Sequence, residues 1–594
     1  MRKHRQFLPG QQQVEKVASK TVVLHQPAFL KRFGCNDQAN PDLTVAWVAS
    51  RKFRTRRDNL NLTKHVRRVR NRVVLMKKRL GKILLPIAVC CLIGEALGSA
   101  SEPVRLFVKE VPLKVLGKEL FVIAIEQADG TQGYSPEKDN GFHVEVVNQL
   151  KVPTSLHWHG LILPNLMDGV PFVTQNPIPP GKSFRYDFPL KQSGTYWMHS
   201  HYGLQEQSYN SAPLIIWTPE ERAKADQQVV IMLSDFSFTP ADQILKGLKG
   251  GMQSTGMKVS SPRKKMESTA SGKMSGNMGD PSPSEVVAQR WDDQKQRLVR
   301  TVVRAPEAEI DVKYDALLAN RRTADDPEII SVNPGESVLL RLIAASSNQN
   351  FYVDTGGLEA ELLAVDGKGV QPIKGNFFQL GVAQRLDLKI IIPKNGGAYP
   401  ILAQAEGTKL LCGVVLTTKG ASGPKLSRTA SISTASLDNT QETRLRALSP
   451  ISDHSIDRTL PAALGGNMAN YVWTINGAAY PNSNSLNMKS GERVGIAFTN
   501  STSMGHPMHL HGHDFQVVEI DGEKVSGALR DTLMVPPRSK MTVAFDADNA
   551  GVWPMHCHLL YHLDTGMFTV VKYDGADTKF WQPKAQEKAF GTSK

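Results

Sequence analysis

Cysteine is scarce in this chain. There are five among 594 residues, and only Cys412 and Cys557 lie beyond residue 100. That excludes a disulfide-stapled scaffold. The two could form at most one bridge, which would consume Cys557, a residue better used in a metal site, so no disulfide is predicted. Membrane-length apolar segments are lacking as well. The run ILLPIAVCCLIG from Ile83 holds about 12 residues, too few to cross a bilayer as a stable helix. No stable membrane anchor is expected. A lipid on Cys90 or Cys91 is the weaker alternative, because Val89 and Cys90 fit poorly just before a lipidated cysteine. Histidine is absent between His201 and His454, so the middle of the chain cannot hold a metal through imidazole.

Acidic charge is missing only from the start. The formal net charge is +15, which taken alone would point to nucleic acid. Residues 1–75, however, hold 17 Lys and Arg against 4 Asp and Glu, whereas residues 101–594 hold 50 against 51. The body is nearly neutral, and nucleic acid is dropped as a partner.

From Met76 the chain reads MKKRLGK, then the apolar run, then EALGSA. A basic stretch, an apolar stretch and small residues before a cut make a secretory signal over 76–100, with cleavage after Ala100. Residues 1–75 are Arg-rich, without apolar periodicity. They read as a disordered or non-native leader with translation starting at Met76, the alternative being a genuine long n-region. No twin-arginine pair is evident, so Sec-type export to the periplasm or beyond is expected.

The rest is built from short alternating segments. LFVKEV, FHVEVVNQL and APLIIW in 101–222, ESVLLRLIAAS and RLDLKIIIP in 223–420, and ERVGIAFTN and GMFTVVKYD in 459–580 read as strands introduced by turns such as PPGKS and KSGER. The expectation is all-β, with three β-sandwich domains over those ranges. Residues 245–290 are rich in Gly, Ser, Lys and Met and read as a disordered insertion in the second domain; residues 421–458 read as a linker.

The chain has 16 His, and ten fall in four short clusters: HWH from His157, HSH from His199, HPMHLH from His506, and HCHLLYH from His556. In a strand, residues i and i+2 point to one face, so each His-x-His presents two imidazoles side by side. Imidazole suits copper, zinc, iron or nickel, and the last cluster selects copper. His556 and His558 share one face there, while Cys557 points to the other. His506, Cys557 and His562 with a weak axial Met567 make a His₂Cys blue-copper set. An electron arriving at Cys557 can leave through either neighbouring His.

HWHG, HSHYGLQ, HPMHLHGH and HCHLLYHLDTGM, present in that order, resemble the four signature motifs of the multicopper oxidases. The resemblance covers roughly residues 101–575. It implies cupredoxin-like Greek-key sandwiches, four copper ions and O₂ as electron acceptor. Carried over by position, it gives His506, Cys557, His562 and Met567 to type 1 copper. It gives His157 and His509 to type 2, and His159, His199, His201, His511, His556 and His558 to the type 3 pair. The cluster would lie between the first and last domains, and the middle domain would be a spacer.

Reducing O₂ consumes four protons, so an acid near the cluster is expected. Asp168 in MDGVP matches the family acid that assists protonation near type 2 copper, its plain alternative being a turn Asp before Gly. Some bacterial members have an acid directly after the second type 1 His; here that position is Leu563, with Asp564 next. His513 is expected to be an outer-sphere or surface residue. HSHYGLQEQ and HCHLLYHLDTGMF resemble bacterial copper-resistance oxidases more than fungal laccases. Met252, Met257, Met266, Met274 and Met278 fall in the low-complexity segment, and thioethers prefer Cu(I). The expected donor is therefore Cu(I), with laccase-like oxidation of phenols or aromatic amines as the alternative. A copper-sequestering protein that moves no electrons is the rival from another class. A two-domain copper nitrite reductase is excluded by the HCH motif and the length.

Overall fold

The computed structural model describes residues 102–223, 227–250 and 283–585. The readings made on the leader, the signal and the methionines of 251–282 lie outside these residues.

Strands dominate because the sequence alternates. Phe142–Asn148 (FHVEVVN) buries every second residue, which puts Phe142, Val144 and Val146 in the core and His143, Glu145 and Val147 nearer solvent. The described strands form six sheets, two from each third of the chain. The first pair is a four-stranded sheet, with Val104–Val115 central, over a three-stranded sheet of His157–His159, Gly194–His199 and Ser211–Ile216. The second pair, of eight and five strands, spans Gln227–Phe236 to Leu411–Thr417. The third pair ends in a five-stranded sheet that sets His506–Leu510 between Thr532–Val535 and Val552–Cys557. The fold is all-β: three Greek-key sandwiches of cupredoxin type.

One buried apolar cluster runs through the first and third sandwiches, from Leu106 and Trp158 to Trp553 and Tyr573. The middle sandwich has its own, around Leu340, Phe351 and Leu388. Each fully buried Trp removes about 200 Å² from water, roughly 5 kcal/mol of gross transfer energy. Trp158, Trp197, Trp473 and Trp553 are all of this kind; Trp197 packs on His159 and His199, and Trp473 on His506 and His562.

Two stretches are more regular than composition implied. The range 245–290 begins inside the helix Ala241–Lys249 and ends inside the strand Ser284–Asp292. The helix turns Leu245 inward and packs Ile244 and Leu248 on the first core cluster. The expected linker is strapped to the middle sandwich. Thr434 bridges Val287, Ala447 bridges Val370, and Leu437 and Leu445 are buried. Small polar residues here serve backbone pairing along a sheet edge, which composition does not distinguish from a free connection.

Candidate metal centres

Strand register brings the histidines together. His157 stands opposite His199, and His509 opposite His556, in two antiparallel pairs. Cross-strand neighbours on one face are about 5 Å apart, so each register places imidazole beside imidazole. His157, His159, His199, His201, His509, His511, His556 and His558 are all buried and converge where the first and third sandwiches meet. Their ligand atoms fall into overlapping sets. His159, His199 and His558 form one, His201, His511 and His556 a second, and His157, His159 and His509 a third.

Ring nitrogens show which side faces inward. Nδ1 of His157 donates to Asp168 O (2.7 Å), that of His509 to Asp531 O (2.8 Å), and that of His556 to Cys557 O (2.9 Å). His511 Nδ1 donates to Asp168 Oδ2 at 3.0 Å. Nε2 is left pointing inward. It has no hydrogen-bond partner in His157, His201 or His509, and it faces another Nε2 in the pairs His511–His556 (3.0 Å) and His199–His558 (3.3 Å). His159 is reversed, with Nδ1 inward and unpartnered. Four inward nitrogens without a partner, and four more that meet only another imidazole nitrogen, are what bound metal ions would satisfy, and the all-nitrogen set fits copper.

Burial, then neighbouring imidazoles, lowers the pKa of His159, His199, His201, His509 and His511 well below the usual value. His556 is lowered to about 4, chiefly by burial. These rings are therefore neutral and ready as donors at ordinary pH.

The second centre lies on the other face of the same strand. Cys557 Sγ is 3.6 Å from Nδ1 of His506 and 3.8 Å from Nδ1 of His562, and those two nitrogens are 3.2 Å apart. Two imidazoles and one sulfur at the corners of a small buried triangle fit a trigonal copper site. Met567 is fully buried in the adjoining turn, where its N–H donates to His562 O at 2.9 Å and its carbonyl accepts from Cys557 N–H at 3.0 Å. Trp473 stacks on His562 with centroids 3.8 Å apart. Burial pushes the Cys557 thiol up, an apolar setting in which a bound metal, rather than a neighbouring base, would draw off the proton.

The middle sandwich is not merely a spacer. His562 Nε2 donates to Asp311 Oδ2 at 2.7 Å, and Tyr471 OH (2.9 Å) and Asn348 Nδ2 (3.1 Å) donate to the same oxygen. Burial opposes the charge of Asp311, but the facing His562 and these hydrogen bonds hold its carboxyl below the usual range. Arg385 of the same sandwich grips Asp531 beside His159.

Among the acids weighed from sequence, Asp168 is fully buried and spans the cluster, with Oδ1 3.2 Å from His157 Nδ1 and Oδ2 bonded to His511. Asp564 lies apart from the imidazoles, 3.6 Å from Lys249, and burial raises its carboxyl to about 7. Glu206 was missed. Its Oε2 is 3.0 Å from His199 Nδ1 and its Oε1 is 3.8 Å from His558 Nδ1. Burial, then Asp235, holds its carboxyl well above the usual range. It lines, with Leu563, a small cavity that His199, His201, His556 and His558 also line. The one available signal was its position five residues after His201 in HSHYGLQEQ. His513 is buried but turned away, with Nδ1 bonded to His511 O (2.9 Å) and Nε2 2.7 Å from Tyr573 OH.

Comparison with known proteins agrees with this geometry. Three family profiles described as multicopper oxidase match residues 134–221, 227–421 and 456–577. Multicopper oxidase MmcO of Mycobacterium tuberculosis is 32% identical over 430 residues, covering 72% of this chain and 79% of that protein. Copper resistance protein A of Escherichia coli is 27% identical, covering 73% and 86%. Among solved structures, Fet3p, a multicopper oxidase that functions in iron import, has a TM-score of 0.62 at 22% identity, covering 81% of this chain and 93% of that one. A laccase from Botrytis aclada has a TM-score of 0.60 at 20% identity, covering 82% and 90%. With the profiles spanning all three sandwiches and the imidazoles meeting between the outer two, this chain belongs to the multicopper oxidase family and is a copper-dependent oxidoreductase that uses O₂.

Proposed function

We propose that the enzyme oxidises Cu(I) one electron at a time and couples four such oxidations to reduction of O₂ to two waters, lowering the toxicity of copper outside the cytoplasm. We assign His506, Cys557, His562 and Met567 to type 1 copper, and His157 and His509 to type 2. His159, His199 and His558 go to one ion of the type 3 pair, and His201, His511 and His556 to the other. The sheet pairs support three domains, read at 101–222, 223–420 and 459–580. The signal over 76–100 supports a periplasmic or secreted protein, and no helix among the described residues is long and apolar enough to cross a membrane.

Bound copper would supply a one-electron acceptor at the Cys557 set and an oxygen-reducing centre at the eight imidazoles. The chain supplies the rest. Cys557 is joined covalently to His556 and His558, so the two centres are connected through one stretch of backbone. Asp168 accepts from His157 of the first sandwich through its backbone oxygen and from His511 of the third through Oδ2, and is assigned the supply of protons near type 2 copper.

The choice of donor rests on the entry side. Asp311 keeps Oδ1 unpartnered beside a small cavity lined also by Glu309, Glu406, Asn348 and Met504. An acidic cavity with a thioether, touching His562 through Asp311, favours a soft cation over a neutral phenol. The helix leading to the methionine-rich segment points the same way, because Lys249 pairs with Asp564, two residues beyond His562. The relatives named copper resistance protein A lend support. O₂ uptake with Cu(I) against uptake with a phenol, in the full chain and after deleting 250–280, is the test. Cu(I) turnover should fall selectively on deletion. Preference for the phenol in the full chain would replace this reading with a laccase-like one, and no O₂ uptake with either would leave copper sequestration.

A further inference from the structure

Seven of the eight clustered imidazoles turn Nε2 inward, and His159 turns Nδ1 inward. The surroundings of its outer nitrogen explain why. His159 Nε2 lies 3.1 Å from Asp531 Oδ1 and 2.9 Å from Thr532 Oγ1. Thr532 spends its own proton on Asp531 Oδ1 at 2.8 Å. Both oxygens therefore present lone pairs to Nε2, which must carry the ring proton, and the Nδ1 lone pair faces the cluster.

Asp531 is itself held from the middle sandwich. Arg385 Nη1 donates to Oδ1 at 2.9 Å and Nη2 donates to Oδ2, a two-pronged grip by a fully buried guanidinium. Arg385 is fixed in turn by Thr195 O of the first sandwich at 3.1 Å and by Ala383 O at 3.0 Å. Gly160, next to His159, has φ +85, and a Cβ there would collide with Asp531 Oδ2 and press on Arg385 Nη2. The backbone beside His159 is shaped to admit this ion pair.

We propose that Arg385 is a positioning residue for the oxygen-reducing centre, acting through Asp531 to fix the tautomer and orientation of His159. The inference rests on the copper reading of the imidazole cluster. Without the guanidinium, a buried carboxylate would lose its counter-charge and its aim. Lysine cannot replace it, since an ammonium lacks the planar fork that fixes both oxygens at once.

Arg385→Lys and Asp531→Asn test this, with Arg530→Lys as the reference. Arg530 is as buried, and joins Glu442 and Asp366 across the same interface, but it is not bonded to a ligand imidazole. Copper per chain is measured at limiting copper, together with the EPR-silent fraction that marks a coupled pair and the blue absorption of the Cys557 set. Both test variants should hold cluster copper roughly 10–100-fold more weakly and lose the silent fraction, with the blue absorption intact. Arg530→Lys should lower the melting temperature and leave the copper spectrum alone. Equal copper loss in Arg530→Lys would reduce Arg385 to interdomain cement and overturn the proposal, as would an unchanged silent fraction in Asp531→Asn. A native chain with no silent copper would overturn the cluster reading instead.

Discussion

His562 and Asp311 are 251 residues apart in sequence, yet Nε2 of the first donates to Oδ2 of the second at 2.7 Å. The bond joins an imidazole of the Cys557 triangle to a carboxylate of the middle sandwich, at the edge of an acidic cavity. Asp311→Asn keeps the shape and removes the charge. Losing a charge-assisted hydrogen bond costs about 1.5–3 kcal/mol, which corresponds to roughly 10–100-fold in kcat/KM. That loss is expected with Cu(I), and a smaller one with a phenol. Equal losses on both donors, measured by steady-state O₂ uptake, would place Asp311 in ligand orientation alone.

Cys557→Ser should abolish the blue colour and the oxidase activity, because an alcohol does not replace a soft thiolate on copper. The fold should survive. Cys557 is buried among apolar residues, and the new hydroxyl costs about 1–3 kcal/mol. Visible absorption, O₂ uptake and near-ultraviolet circular dichroism read the three outcomes separately. Retained turnover would refute electron entry at this residue.

Removing copper should destabilise the protein and loosen the contact between the outer sandwiches. The eight imidazoles come from both, so metal binds the folded form and not the unfolded one. Copper at 100 times its dissociation constant adds about 2.7 kcal/mol. Calorimetry of chelated and reloaded protein should show a melting temperature several degrees lower without metal, and reversible. An unchanged transition would deny that the cluster binds metal in the folded state.

Gly169→Ala should impair the cluster from outside the ligand set. Gly169 follows Asp168 with φ +84, and a Cβ there would run into the carbonyl oxygen of Leu156. The strained conformation alone costs about 1–2 kcal/mol, and relief would move the turn that carries Asp168. Lower kcat with unchanged copper content is expected. Normal kcat would separate Asp168 from proton supply.

Most of the imidazole geometry was legible in the chain because it is local. A pleated strand sends i and i+2 to one face whatever surrounds it, so HWH, HSH and HCH each declared a pair of donors, and HCH declared two sites joined by one residue. The absence of His from 202–453 likewise confined the imidazole clusters to the outer sandwiches. The partners of those imidazoles were not legible, because they are set by packing between distant strands. Asp311 and Arg385 sit in a stretch without histidine and look like ordinary surface charges in sequence. Only the closed structure desolvates them, and a desolvated charge must find its counterpart, here His562 and Asp531. Glu206 was hidden for a related reason. It lies near His201 in the chain but approaches His199 through a short turn and His558 through the third sandwich. Sequence by itself determined which imidazoles share a strand face. Tertiary structure decided which nitrogen of each ring faces inward and which acid stands behind it, since both depend on hydrogen bonds between residues hundreds of positions apart.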